Sequence, residues 1–65
     1  MLRIVSERKH RGMSQAELAR RAGINQASMS RIEAGKEPAY RNRGRRIAQA
    51  LGWSDDPEAL FIEVD

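Results

Sequence analysis

Cysteine is absent from the 65 residues, and Trp, Tyr, Phe and His occur once each. Without thiols the chain has neither a disulfide framework nor a thiolate metal site. No apolar run approaches the roughly 18 residues that a membrane-spanning helix needs. Charges also interrupt the apolar residues of the first segment, which is unlike a signal peptide. These absences exclude disulfide-rich and membrane-spanning classes, and they favour a cytoplasmic location.

Patterns that carry catalysis are also scarce. The one histidine, His10, lies among basic residues, where a solvated surface position is the simplest interpretation. Asp55 and Asp56 are adjacent, which suits a loop and a helix cap and does not suit paired carboxylates on one helical face. The sequence has no glycine-rich phosphate loop and no metal-ligand spacing. We therefore predict a non-enzymatic protein without cofactor or metal.

Charge is abundant and unevenly distributed. All 12 Lys and Arg residues, but only four acidic residues, lie in residues 1–54, which gives this part a net charge of +8. The last 11 residues carry five acidic residues and no basic one. A small basic body indicates a polyanionic partner. The acidic end is expected either to face away from phosphates or to contact another protein.

Two short helices with similar start signals lie in the middle of the chain. Ser14 and Glu17 have the spacing of a capping box, and Asn25 suits the cap of the second helix. Gly23 and Gly35 suit the left-handed residue that ends each helix. Helices this short need packing against others to be stable. The pattern predicts a helix–turn–helix, a unit that lays its second helix in the DNA major groove.

The second helix has two different faces. At helical spacing, Met29, Ile32 and Glu33 fall on the inward side. The outward side is short and mostly uncharged, and it comprises Gln26, Ala27, Ser30 and Arg31. A Gln amide can pair with adenine, an Arg can pair with guanine, and an Ala methyl can contact thymine. We predict that these four residues contact bases.

Three further helices are expected. Residues 2–11 form the first and residues 40–51 the fourth, and a last short helix over residues 58–62 follows a cap at Asp56. One face of the fourth helix is expected to point inward, with Tyr40, Gly44, Ile47, Ala48 and Leu51. Gly44 on that face indicates the close approach of another helix. The large apolar residues near the end are expected to close the core: Trp53, Leu60 and Phe61. Residues 62–65 form either a short strand or a frayed end.

Charged side chains near the helix–turn–helix suggest further contacts. Arg8 lies four residues after Ile4 on the inward side of the first helix, and Glu33 is also inward. A half-buried charge without a partner is unfavourable, so a pair explains both better than two separate surface charges. Gln15 at a positive helix end suits a phosphate. Arg41 and Arg43 are placed to clamp the DNA backbone, whereas Arg45 and Arg46 either join them or remain solvated.

Residues 12–36, GMSQAELARRAGINQASMSRIEAGK, resemble the helix–turn–helix of the phage repressor and Cro family, also called the xenobiotic-response-element family. With AQALG at 48–52 and LF at 60–61, the resemblance extends over essentially the whole chain. It implies one all-α domain over residues 1–65, a compact, lambda-repressor-like five-helix bundle with the helix–turn–helix formed by helices 2 and 3. The family binds operator DNA, usually as a dimer.

The resemblance also implies roles for individual residues. It places Gln26 and Arg31 on bases, and it leaves Ala27 with only an apolar contact. It matches Arg8 and Glu33 to the family's buried ion pair. With the loop contacts it gives the expected phosphate-binding set: Gln15, Asn25, Ser28, Lys36, Arg41 and Arg43. Glu7 stands where an aliphatic residue is frequent, which predicts looser packing of the first helix.

Together these features predict a sequence-specific regulator of transcription that binds double-stranded DNA as a repressor. We expect a homodimer that is weak or forms only on DNA. The alternative is an antitoxin-like or adaptor module whose protein partner binds the acidic, apolar stretch Trp53–Asp65. Loss of dimerisation or partner binding on deletion of residues 62–65, with the fold kept, would favour that alternative.

Overall fold

Four α-helices followed by a short 3₁₀ helix make up this computed structural model, which describes residues 1–64. The α-helices are α1 (Arg3–His10), α2 (Gln15–Ala22), α3 (Gln26–Glu33) and α4 (Tyr40–Leu51), and the 3₁₀ helix is Pro57–Phe61. None of the helices in this range has the length and apolar character needed to span a membrane.

The structure corrects the prediction of a fifth α-helix over residues 58–62. That segment is a 3₁₀ helix of five residues, Pro57–Phe61. Asp56 caps it as expected, since its Oδ1 accepts the Glu58 N–H at 3.0 Å. Pro57 takes the first position, and the backbone is already extended at Ile62. Segments this short commonly adopt the tighter 3₁₀ geometry. The bundle therefore has four α-helices and a terminal 3₁₀ turn.

Side-chain caps fix where α2 and α3 begin. Ser14 Oγ accepts the Glu17 N–H at 3.0 Å, and Asn25 Oδ1 accepts the Ala27 N–H at 2.8 Å. Gly23 ends α2 with a φ of +67°, a left-handed conformation that is open to glycine. The predicted helix–turn–helix over α2 and α3 is therefore confirmed in its caps and its turn.

The core takes side chains from all five helices. α2 packs against α3 and α4, and the 3₁₀ helix packs against α1 and α4. Burying an aliphatic side chain of this size contributes about 1.5–3 kcal/mol. The fully buried large side chains are Ile4, Leu18, Met29, Ile32, Ile47 and Leu60. Because α3 contributes two of them, one side of α3 is fixed in the core and the opposite side faces outward.

The two ends of the chain are paired. The Arg3 N–H donates to Ile62 O at 2.9 Å, and the Val64 N–H donates to Met1 O at 2.8 Å. Leu2 and Glu63 form the antiparallel bridge between these bonds. Residues 62–64 are thus a single bridge alongside the first residues, and Asp65 lies outside the described residues.

One residue of α4 differs from the periodic pattern. Tyr40, expected to point inward, is 77% exposed, so that prediction is wrong. Its φ is +60°, which departs from the regular helical geometry on which the spacing argument depends, and Ala39 is buried instead. Gly44 is buried as expected, and its close neighbour is the 3₁₀ helix. An added Cβ there would lie 3.6 Å from Phe61 Cε2.

Ionic contacts tie α1 to the bundle despite the unusual Glu7. Its carboxylate accepts a hydrogen bond from Arg11 Nη1 and lies 3.7 Å from Arg3 Nη1. The bond from Arg11 is the main cause that lowers the pKa of Glu7 below its usual value. Arg11 Nε also donates to Leu51 O at 2.7 Å, where a cation suits the negative end of α4. Glu7 therefore takes part in a link between α1 and α4.

Candidate nucleic-acid interface

The outer face of α3 gathers the four residues that the sequence assigns to bases. They are all exposed: Gln26, Ala27, Ser30 and Arg31. The opposite face is buried through Met29, Ile32 and Glu33. An α-helix with its side chains is about 10–12 Å across, which fits the major-groove width of about 12 Å. The structure thus presents one short polar face whose dimensions suit a duplex groove.

A buried ionic network holds this helix in position. Arg8 Nε and Nη2 donate to the two carboxylate oxygens of Glu33 at 2.8 and 3.1 Å. Their side chains are only 11% and 6% exposed. Arg8 Nη1 also donates to Met13 O at 2.8 Å, and Gln15 Nε2 donates to Glu33 Oε1 at 3.1 Å. The network therefore links α1, the start of α2 and the end of α3.

Three of the residues assigned to phosphates lie around the starts of α2 and α3. Gln15 is the first residue of α2 and is held beside the end of α3 by its bond to Glu33. Asn25 uses its Oδ1 as the α3 cap, so a phosphate contact falls to its amide Nδ2–H. Ser28 is half-buried, and its Oγ accepts a bond from Arg31 Nη2 at 3.2 Å.

The remaining three residues of that set lie in the α3–α4 loop and early α4, and they differ in availability. Lys36 and Arg41 are exposed. Arg43 is bound to the loop: its Nη2 donates to Pro38 O at 2.6 Å, and its Nε donates to Ala39 O at 3.3 Å. The side chain of Arg43 is 25% exposed. Arg43 therefore ties the loop to α4.

Glu37 is a residue of this surface that sequence reasoning missed. Its Oε1 accepts from Arg31 Nε at 2.7 Å, and its Oε2 accepts from Arg43 Nη1 at 2.8 Å. These bonds, the one from Arg31 first, lower the pKa of the Glu37 carboxyl below its usual value. The sequence feature that could have identified Glu37 is its position as the one acidic residue between Glu33 and Asp55.

Family comparison agrees with this geometry. Residues 3–61 match a protein-family model described as a helix-turn-helix domain, a range that runs from the start of α1 to the end of the 3₁₀ helix. Comparison with curated proteins and with solved structures gave no match. The match agrees with the resemblance of residues 12–36 to the phage repressor and Cro type of this motif. The chain belongs to the helix-turn-helix domain family of DNA-binding proteins.

Proposed function

We propose that the chain is a sequence-specific transcriptional repressor that acts in the cytoplasm by binding double-stranded DNA through the outer face of α3. The observation that carries this proposal is the division of α3 into a buried apolar side and an exposed side of four small or hydrogen-bonding residues. A regulator that occupies an operator excludes other proteins from the same duplex. We infer that the domain of residues 1–65 represses by this exclusion.

Base choice comes from the exposed side of α3. Gln26, at the helix start, offers a donor and an acceptor to an adenine edge, and Ala27 offers a methyl to thymine. Ser30 can pair with either partner of a base pair. Arg31 provides the contact with the largest discrimination, because a guanidinium can bind guanine O6 and N7 together.

Affinity comes from contacts to the phosphate backbone of the DNA, and these contacts carry no sequence information of their own. Near the helix starts, the residues proposed to contact phosphates are Gln15, Asn25 and Ser28. Beyond the end of α3, they are Lys36 and Arg41. Arg43 joins this set only if DNA replaces part of its bonding to the loop. Binding through these residues weakens as salt rises, since each neutralised phosphate releases condensed counterions.

A homodimer completes the proposed unit. The longest extent of the chain is 25 Å, whereas successive faces of the major groove are about 34 Å apart. One copy therefore reads one half-site, and two copies read a two-fold operator. Two bodies of this size at that spacing share little surface, so we expect the dimer to be weak and to form on DNA.

Selection from a random pool of duplexes tests the proposal. We expect a two-fold sequence to be enriched, and the protein to bind it more tightly than a scrambled duplex of the same composition. Fluorescence anisotropy across a series of salt concentrations should show both affinities falling with salt while the selected duplex keeps its advantage. No enrichment from the pool, or equal affinity for the selected and the scrambled duplex, would overturn the proposal.

The alternative, a protein partner on Trp53–Asp65, has less support. Leu60 is fully buried, and Trp53 and Phe61 pack against the core, so these three apolar side chains help to hold the fold together. Deleting residues 62–65 would also remove the bonds that pair the chain ends. Ile62→Ser is a cleaner test, because the Ile62 side chain is 58% exposed. Loss of dimerisation in this variant, with the fold and DNA affinity of a single copy unchanged, would show that this stretch contacts a second copy of the chain. Unchanged dimerisation on DNA would leave the stretch free for a different protein partner, as the alternative requires.

A further inference from the structure

We propose that Glu37 is a specificity-determining residue that orients the Arg31 guanidinium toward a base without touching DNA itself. The proposal rests on the proposed function, in which Arg31 reads a base. Glu37 lies in the α3–α4 loop, and its Oε1 accepts the Arg31 Nε–H at 2.7 Å. The carboxylate thus holds the one long side chain on the exposed face of α3.

The contacts of Arg31 determine which edge of its guanidinium is free. Nε donates to Glu37, and Nη2 donates to Ser28 Oγ at 3.2 Å. A guanidinium has five N–H donors in a planar fork. Nη1 takes part in neither bond, and Nη2 carries a second hydrogen, so the end-on pair of Nη1 and Nη2 can still donate. That pair has the geometry for bidentate contact with guanine O6 and N7.

Arg43 holds the Glu37 carboxylate in place when the Arg31 side chain moves. Glu37 Oε2 accepts from Arg43 Nη1 at 2.8 Å, and Arg43 is itself bonded to Pro38 O and Ala39 O. Glu37 is therefore anchored to the start of α4 on one side and holds Arg31 on the other. The bonds from Arg31 and then Arg43 lower the pKa of Glu37, which favours the ionised carboxylate. The carboxylate acts as a fixed support, and Arg31 has fewer rotamers to lose when it binds a base.

A second effect of Glu37 has the opposite sign. Its negative charge lies among residues proposed to face phosphates, so it weakens binding to any duplex. Removing the charge should raise the affinity for non-specific DNA. Removing the support should at the same time lower the discrimination that Arg31 provides. Glu37→Gln is thus expected to bind DNA of unrelated sequence more tightly and to choose its base less well.

The experiment measures a ratio of affinities. The preferred duplex is compared with one that carries a single substitution, at the base pair where Arg31→Ala loses discrimination. For Glu37→Gln we expect this ratio to fall by about two- to tenfold, the range for ordering one long side chain. In the Arg31→Ala background, the same change should leave the ratio unaltered. Because both duplexes are titrated with the same protein preparation, a partly unfolded fraction cancels from the ratio.

Glu17→Gln is the matched control. Glu17 also accepts bonds from two arginines, since Oε2 binds Arg20 Nη2 at 2.8 Å and Arg21 Nε at 2.7 Å, but it lies on α2. It should keep the wild-type ratio. A Glu37→Gln ratio equal to that of wild type, or an equal fall in both variants, would overturn the role of Glu37 while the effect of Arg31→Ala still supports base reading. A wild-type protein without any discrimination would instead overturn the proposed function.

Discussion

Glu33 and Glu37 lie four residues apart around the end of α3, and each accepts hydrogen bonds from two side chains, yet their surroundings differ. Glu33 is 6% exposed and joins Arg8 and Gln15 inside the bundle. Glu37 is 24% exposed and joins Arg31 and Arg43 on the surface. The buried carboxylate fixes where α3 lies, and the exposed one is proposed to fix where a single side chain of α3 points.

The two networks should therefore respond differently to substitution. Breaking a buried ion pair leaves an uncompensated charge in the core, which costs about 3–5 kcal/mol. An exposed pair contributes little to stability, because water solvates the separated charges well. We expect changes around Glu33 to affect folding and changes around Glu37 to affect DNA recognition.

Arg8→Met should produce the largest effect. It leaves Glu33 buried without its cation, so we expect the free energy of unfolding to fall by about 3 kcal/mol or more. Urea denaturation followed by circular dichroism measures this change. The double variant Arg8→Met with Glu33→Leu should recover much of the loss, since it removes both charges. A loss below about 1 kcal/mol in the single variant would contradict a structural role for the pair.

Arg31→Ala tests the exposed side of the comparison. We expect binding to the preferred duplex to weaken by about 1–3 kcal/mol and specificity to relax at one base pair. The stability of the fold should change by less than about 0.5 kcal/mol, because the side chain is half exposed. Titration against duplexes with each single substitution measures the profile. Equal weakening on every sequence would identify Arg31 as a phosphate contact.

Arg41→Ala should have a smaller and uniform effect. Arg41 is exposed, so its loss should remove one phosphate contact and lower the slope of log affinity against log salt by about one. Arg43→Ala is the matched comparison. It also releases Glu37 and the loop, so we expect it to lower discrimination at the Arg31 base pair as well. An unchanged salt slope in Arg41→Ala would remove this residue from the interface.

Acid should produce the smallest effect. The pKa of Glu37 is lowered in the folded protein, so its contribution to stability is present above the usual value of 4.5 and is lost as the pH falls through the folded value. Wild type and Glu37→Gln should therefore differ slightly in unfolding free energy at pH 6, and the difference should vanish in stronger acid. A difference that grows as the pH falls below 4.5 would contradict the lowered pKa.

Local signals made the helix–turn–helix predictable, whereas contacts across loops did not follow from the sequence. Ser14, Asn25 and Gly23 act within a few residues of their own positions, so their roles can be read from spacing. The left-handed backbone of Tyr40 leaves no mark on hydrophobic periodicity. Glu37 is six residues from each of its arginines, a separation that matches neither helical neighbour spacing nor a cap.

The placement of the candidate site was predictable only in part. Helical spacing on α3 separated the exposed residues from the buried ones, because that helix is regular. Their position at the loop end of the arginine cluster placed Arg41 and Arg43 in a phosphate clamp, yet Arg43 is bonded to carbonyl groups of the preceding loop. Such bonds depend on the path of the loop backbone. Pro38 indicates that no helix continues through this loop, but it does not define the path that the loop takes.

Nuclear magnetic resonance tests the central claim most directly, because amide signals report contact residue by residue. The measurement is the change in each backbone amide signal when the selected duplex is added to the isotope-labelled protein. We predict the largest changes at the start and outer face of α3 and in the phosphate-binding set, at Gln15, residues 25–31, Lys36 and Arg41. Changes confined to residues 53–64, with α3 unaffected, would contradict the claim that the outer face of α3 reads DNA.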